Sequence, residues 1–226
     1  MAANTEREKT STSQRAKSIA SGIRFLTIQN LVNSVLGFIF LAVLLRLLSP
    51  SQYGLYSGAV LVVGIGTSVA SFGLPAAATR FVAMLSQDPD KLDETRAISR
   101  LILVLSLAFT SVVTVVFVLL SSAFSLYFTK NTGSAWIFAL SGAWLFTGTS
   151  SGLFTGFLQG MKRYESLAKV LMISNLGMVF ITVVGLMKYH SITVPVVAWV
   201  FYGALISIWG FSIARNGPLS RLIERT

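Results

Sequence analysis

Six stretches of the chain contain no Asp, Glu, Lys or Arg: residues 25–45, 47–79, 101–129, 131–161, 170–187 and 191–214. A helix needs about 20 predominantly apolar residues to cross the hydrocarbon core of a bilayer, and each stretch supplies that length, the shortest with help from its flanks. In lipid every backbone amide and carbonyl must be paired inside the protein, which leaves helices and closed barrels. Barrel strands would show short alternating segments, and the sequence has none. The expectation is an all-α polytopic membrane protein whose six transmembrane helices form one bundle over residues 19–215. The helices are placed at about 25–46, 54–80, 100–125, 135–158, 167–188 and 192–214. Residues 1–18 are expected to be a disordered cytoplasmic tail and residues 216–226 a second cytoplasmic tail.

Charge decides the orientation. Only 12% of the residues are charged and the mean hydropathy is +0.73, whereas a soluble domain carries about 25% charged residues. The formal net charge of +10 does not mark a nucleic-acid binder, because the cations lie between the apolar stretches, where topology signals and contacts to anionic lipids belong. Along an alternating six-helix path, fifteen of the 18 Lys and Arg residues fall on one side and three, Arg46, Lys130 and Lys188, on the other. The positive-inside rule then puts both termini in the cytoplasm of a multi-pass protein of the cell (plasma) membrane. Tyr53, Tyr56, Tyr127, Trp136 and Tyr189 fall near the predicted outer ends, the depth at which amphipathic rings anchor. The segment from Ser86 to Arg96 mixes acids and bases and reads either as a solvated loop or as a partner-binding one.

The interiors of the spans exclude several kinds of chemistry. All eight Asp and Glu residues lie on the predicted cytoplasmic side, so no carboxylate is left for a proton or cation relay, or for hydrolysis by paired Asp within the membrane. There is no Cys, and the single histidine, His190, stands at a helix boundary without acidic neighbours. No metal, cofactor or enzymatic centre is expected.

Uncharged polar residues do cluster. The first span carries Gln29, Asn30, Asn33, Ser34 and Gly37, and spacing four puts Gln29, Asn33 and Gly37 on one face. The fifth span carries Ser174, Asn175 and Gly177. Amides in lipid need a partner, so these residues either bond between helices or line a polar cavity. Gly148, Gly152, Gly156 and Gly160 form a ridge on the fourth span, suited to close packing or to a sliding surface. Pro75 is expected to kink the inner half of the second helix.

Three passages resemble a known family. Arg46-Leu-Leu-Ser-Pro-Ser-Gln-Tyr-Gly-Leu-Tyr56 is similar to the first-loop motif of the polysaccharide biosynthesis flippases, the Wzx-like members of the MOP (MATE-like) superfamily. Phe72-Gly-Leu-Pro-Ala-Ala-Ala-Thr-Arg80-Phe resembles the end of their second helix, and Gly156-Phe-Leu-Gln-Gly-Met-Lys-Arg-Tyr164 the exit from their fourth. The resemblance implies a flippase moving a polyprenyl-linked oligosaccharide from the inner to the outer leaflet. Family members pair two helical bundles, and this chain matches the N-terminal one (the N-lobe). It is then a fragment, one product of a split gene, or a half-transporter that needs a C-terminal half-partner or a second copy. The lipid II branch carries first-helix arginines and the drug exporters often a first-helix carboxylate; residues 33–40 have neither.

Under this resemblance Gln29, Asn33 and Asn175 offer hydrogen bonds to the sugar, and Arg24 meets the phosphate at the cytoplasmic mouth. Arg46, Arg80 and Pro75 are interfacial or gating candidates. The alternatives are a non-transporting scaffold or inactive fragment of the same family, and then a drug or ion antiporter.

Overall fold

The computed structural model describes Arg24 and residues 27–85 and 92–216. The two expected tails, up to residue 18 and beyond Asn216, and most of the segment around Lys91 lie outside the described residues. The described chain is all-helical. In order it forms α1 (Thr27–Leu47), α2 (Pro50–Ser71), α3 (Leu74–Leu85), α4 (Leu92–Leu119), α5 (Ser121–Thr129), α6 (Ala135–Gly160), α7 (Tyr164–Tyr189) and α8 (Thr193–Asn216). Six of its helical segments are long and apolar enough to cross a membrane, one for each charge-free stretch.

The turn between α1 and α2 is built by its sequence. Ser49 caps α2: its Oγ accepts from the Gln52 amide, and the Ser49 amide donates back to Gln52 Oε1 at 3.1 Å. Pro50 follows at the first helical position, where its missing amide costs nothing. Gln52 Nε2 also donates to the His190 carbonyl at 3.2 Å, tying this turn to the one between α7 and α8. This end of the bundle is called the Ser49 end, and the opposite one the Gly160 end.

The second crossing does not run as one helix. It starts at Pro50 rather than residue 54, and it breaks at Phe72 and Gly73, which take left-handed φ values of 41° and 74°. The break precedes Pro75, which sits in the first turn of α3, where proline is tolerated. The third stretch is also longer than one crossing, and its chain divides at Leu120 into α4 and α5.

The chain is organised around α6. Its apolar window is 61% buried, against 22–33% for the other five crossings. It touches α2, α3, α4, α5, α7 and α8. Small residues permit this. A Cβ on Gly203 of α8 would stand 2.7 Å from the Thr147 backbone, and one on Gly210 would stand 2.8 Å from Phe154 Cβ. Close backbone approach of this kind takes the place of a hydrophobic driving force between helices in lipid.

Aromatic rings lock the Ser49 half. Trp144 stacks on Trp199 with centroids 5.2 Å apart, Tyr56 stacks on Trp144 at 6.4 Å, and Phe40 meets Trp199 edge-on at 6.1 Å. Trp199 Nε1 donates to the Tyr56 hydroxyl at 2.9 Å. Tyr56 is therefore a buried core residue, whereas Tyr127, Trp136 and Tyr189 are exposed. A smaller core of Ala78, Val82, Ile102, Leu153, Phe154 and Phe157 closes the Gly160 half.

Candidate functional site

The glycine ridge on α6 meets two different surroundings. Toward the Gly160 end it is in contact. A Cβ on Gly156 would collide with the Pro75 carbonyl oxygen, and one on Gly160 would stand 2.9 Å from the Thr79 carbonyl oxygen. Thr79 Oγ1 donates to the Gly156 carbonyl at 3.1 Å as well as to Pro75 in its own helix at 3.0 Å. Toward the Ser49 end the ridge is in looser, side-chain contact. A Cβ on Gly148 would meet nothing closer than 3.8 Å, and one on Gly152 nothing closer than 3.9 Å.

This part of the ridge is one wall of an open cleft of about 220 Å³. Gly148, Thr149 and Gly152 line it from α6, Thr67, Ser68 and Ser71 from α2, and Pro75 from α3. The cleft exists because the second crossing breaks here. Above the break α2 meets the ridge only through side chains, and below it α3 returns to backbone contact. All four lining hydroxyls point a proton at a carbonyl of their own helix: Thr67 to Val63 at 2.7 Å, Ser68 to Gly64 at 2.9 Å, Ser71 to Ser68 at 3.2 Å and Thr149 to Leu145 at 2.9 Å. Such back-bonding satisfies the hydroxyl proton and leaves oxygen lone pairs to accept. The lining holds no charged residue.

The sequence-derived candidates divide. Asn175 Nδ2 donates to Asn33 Oδ1 at 2.8 Å, joining α7 to α1. Gln29 lies one turn before Asn33 and is buried. These amides continue the packing face of α1, which runs on through Leu36, Phe40 and Leu44. Gly37 is not on that face; it is exposed, with open space around it. A helix of 3.6 residues per turn drifts off a spacing of exact fours, so the face passes through residue 36 instead. Arg24, Arg46 and Arg80 are exposed, and the Asn33–Asn175 bond involves none of them. Pro75 is a cleft-lining residue.

Two groups escape the spacing argument. One is the cleft's own hydroxyls, which come from two helices, α2 and α6, that the sequence did not bring together. The other is a second line along α1, Thr27, Asn30, Ser34 and Gly37, exposed beside the packing face. The signal for the second was present, because assigning Leu36, Phe40 and Leu44 inward leaves Asn30 and Ser34 outward.

The motifs quoted above fall on these structural devices. Ser49 and Gln52 cap α2, Phe72, Gly73 and Pro75 make the break, and Gly156 and Gly160 seat α3. No curated protein and no solved structure matches the chain. A family model described as Polysaccharide biosynthesis protein matches residues 19–218. The chain belongs to the polysaccharide biosynthesis protein family.

Proposed function

We propose that the chain is a membrane flippase, or one lobe of one, that carries a lipid-linked oligosaccharide from the inner to the outer leaflet of the cell membrane. The observation that carries this reading is the cleft: an uncharged, hydroxyl-lined recess in a protein otherwise built to face lipid. A sugar head group cannot cross hydrocarbon without polar partners along its path. Hydroxyls supply them without the cost of an ionised side chain in the membrane. Membership of a polysaccharide biosynthesis family supports the glycan as cargo.

The exposed line Thr27, Asn30, Ser34 and Gly37 on α1 supports a second wall facing this bundle, supplied by a C-terminal half-partner or another copy of the chain. Both termini lie in the cytoplasm under the positive-inside rule. Arg24 then meets the lipid phosphate at the cytoplasmic mouth, while Gln29, Asn33 and Asn175 hold the first and fifth crossings in the arrangement the path requires.

The test is glycan export in cells lacking their own flippase, with this chain supplied alone and with a second bundle. A Thr67→Val, Thr149→Val double variant keeps shape and removes two lining hydroxyls, and is expected to lower export at least about tenfold, the loss of two hydrogen bonds at roughly 1 kcal/mol each. Full export by a variant that also carries Ser68→Ala and Ser71→Ala removes the cleft from the path.

A further inference from the structure

The break in the second crossing directly follows the 22-residue apolar helix Pro50–Ser71 and lies level with the middle of two neighbouring crossings. The Phe72 ring packs on Phe109 with centroids 5.7 Å apart, and Phe109 is next to the midpoint of the crossing Ala97–Leu119. Gly148, across the cleft, is close to the midpoint of the crossing Thr132–Gly160. At this depth the helical ladder is interrupted. It resumes where the Ala77 amide donates to the Gly73 carbonyl at 3.0 Å. The first amides of α3 have no carbonyl of their own helix to bond, as at any helix start. Irregular backbone at membrane depth persists only when it is buried in protein or beside a water-filled cavity.

An open cleft is present beside it, between helices that are held together on either side. On one side Tyr56 stacks on Trp144 and a Gly66 Cβ would collide with Leu145, which clamps α2 to α6. On the other side Gly156 and Gly160 clamp α3 to α6. We propose that the cleft is an open, hydrated recess, level with the middle of the third and fourth crossings, that holds neutral hydroxyl groups, those of water or of a sugar ring. Its four lining hydroxyls have given their protons to their own helices, so they accept from a ligand. A hydroxyl group supplies the matching donor and carries no charge to be desolvated. The volume of about 220 Å³ has room for several waters. The sugar arm rests on the flippase reading, and the water arm stands without it.

The chain has no cysteine, so a single substitution introduces its only thiol. Ser68→Cys, Ser71→Cys and Thr149→Cys place it in the cleft; Ile65→Cys and Val69→Cys place it on the exposed apolar surface of α2. Each variant is reacted in nanodiscs with 2-aminoethyl methanethiosulfonate, which needs the thiolate and therefore water. The cleft variants are expected to react at least about tenfold faster than the surface ones, since only they ionise. Slowing by dodecyl maltoside, but not by a dodecyl polyether, identifies the sugar source; no slowing by either identifies water. Thr149→Cys, on the opposite wall, keeps the comparison if an α2 variant fails to assemble by size exclusion. Cleft thiols that react no faster than the one at Val69 overturn the proposal. A failed export assay leaves this comparison untouched, so the two readings fail separately.

Discussion

Gly156→Ala puts one methyl group against a backbone that cannot retreat. The added carbon would collide with the Pro75 carbonyl oxygen and stand 3.1 Å from its carbon and 3.2 Å from its Cα. Overpacking costs about 1–3 kcal/mol, and with helix backbone on both sides of the contact the upper part, about 3, applies. Separating α3 from α6 also breaks the Thr79–Gly156 hydrogen bond of 3.1 Å, a further loss of about 1 kcal/mol. Alanine returns about 1 kcal/mol through its better helix propensity. The net loss is about 3 kcal/mol. Gly152→Ala is the internal control. Its added carbon meets only Pro75 Cγ at 3.9 Å, so the helix term acts alone, a gain of up to about 1 kcal/mol. The two alanines, one turn apart on the same ridge, therefore differ by about 4 kcal/mol, roughly a thousandfold in the unfolding equilibrium. Denaturing-detergent titration of the purified chain, followed by the fluorescence of its four tryptophans, measures that difference. If Gly156→Ala proves as stable as Gly152→Ala, the close seating of α3 on α6 is wrong, and the cleft described above the seat is wrong with it.

Further outcomes concern the polar ties. Asn33→Leu strands the buried Asn175 amide and Asn175→Leu the half-buried Asn33 amide, and each should cost about 1–2 kcal/mol alone, while the double variant recovers about 0.6 kcal/mol or more; strict additivity in the double-mutant cycle refutes the pair. Tyr56→Phe removes only the acceptor of Trp199 Nε1 and should cost about 1 kcal/mol with a shift in tryptophan emission; unchanged stability and emission would refute the bond. Ser49→Ala removes the cap of α2 and should lower stability by about 1 kcal/mol, with Ser49→Asp restoring most of it. Glu165→Gln breaks an exposed pair to Lys169 in α7 and should move stability by no more than about 0.5 kcal/mol in the same titration.

The crossings were legible because lipid removes alternatives: a charge-free stretch of membrane length has one economical structure, and each such stretch became one crossing. What happens within a stretch was less legible. Pro75 is the loudest local signal, yet it sits quietly in the first turn of α3 while Phe72, a bulky residue with φ of 41°, takes the unusual conformation. No local rule assigns a left-handed backbone to a phenylalanine; packing on Phe109 and the clamps on either side hold it there. Leu120 divides α4 from α5 without glycine or proline to announce it. The candidate site was half legible. Asn33 and Asn175 stood out as amides in lipid and do meet, but their meeting is an interhelical bond. The cleft went unseen because its hydroxyls belong to α2 and α6, whose facing requires knowing where the second crossing breaks.

The central place of α6 sets an order of events during synthesis. The first three crossings emerge from the ribosome before their common partner exists. Until Gly160 has left the translocon, α3 has no ridge to seat on and Tyr56 has no Trp144 beneath it. The growing protein must therefore wait as loosely associated hairpins and tighten late, when the fourth crossing arrives, with the final ring of the stack, Trp199, following only when the sixth is inserted.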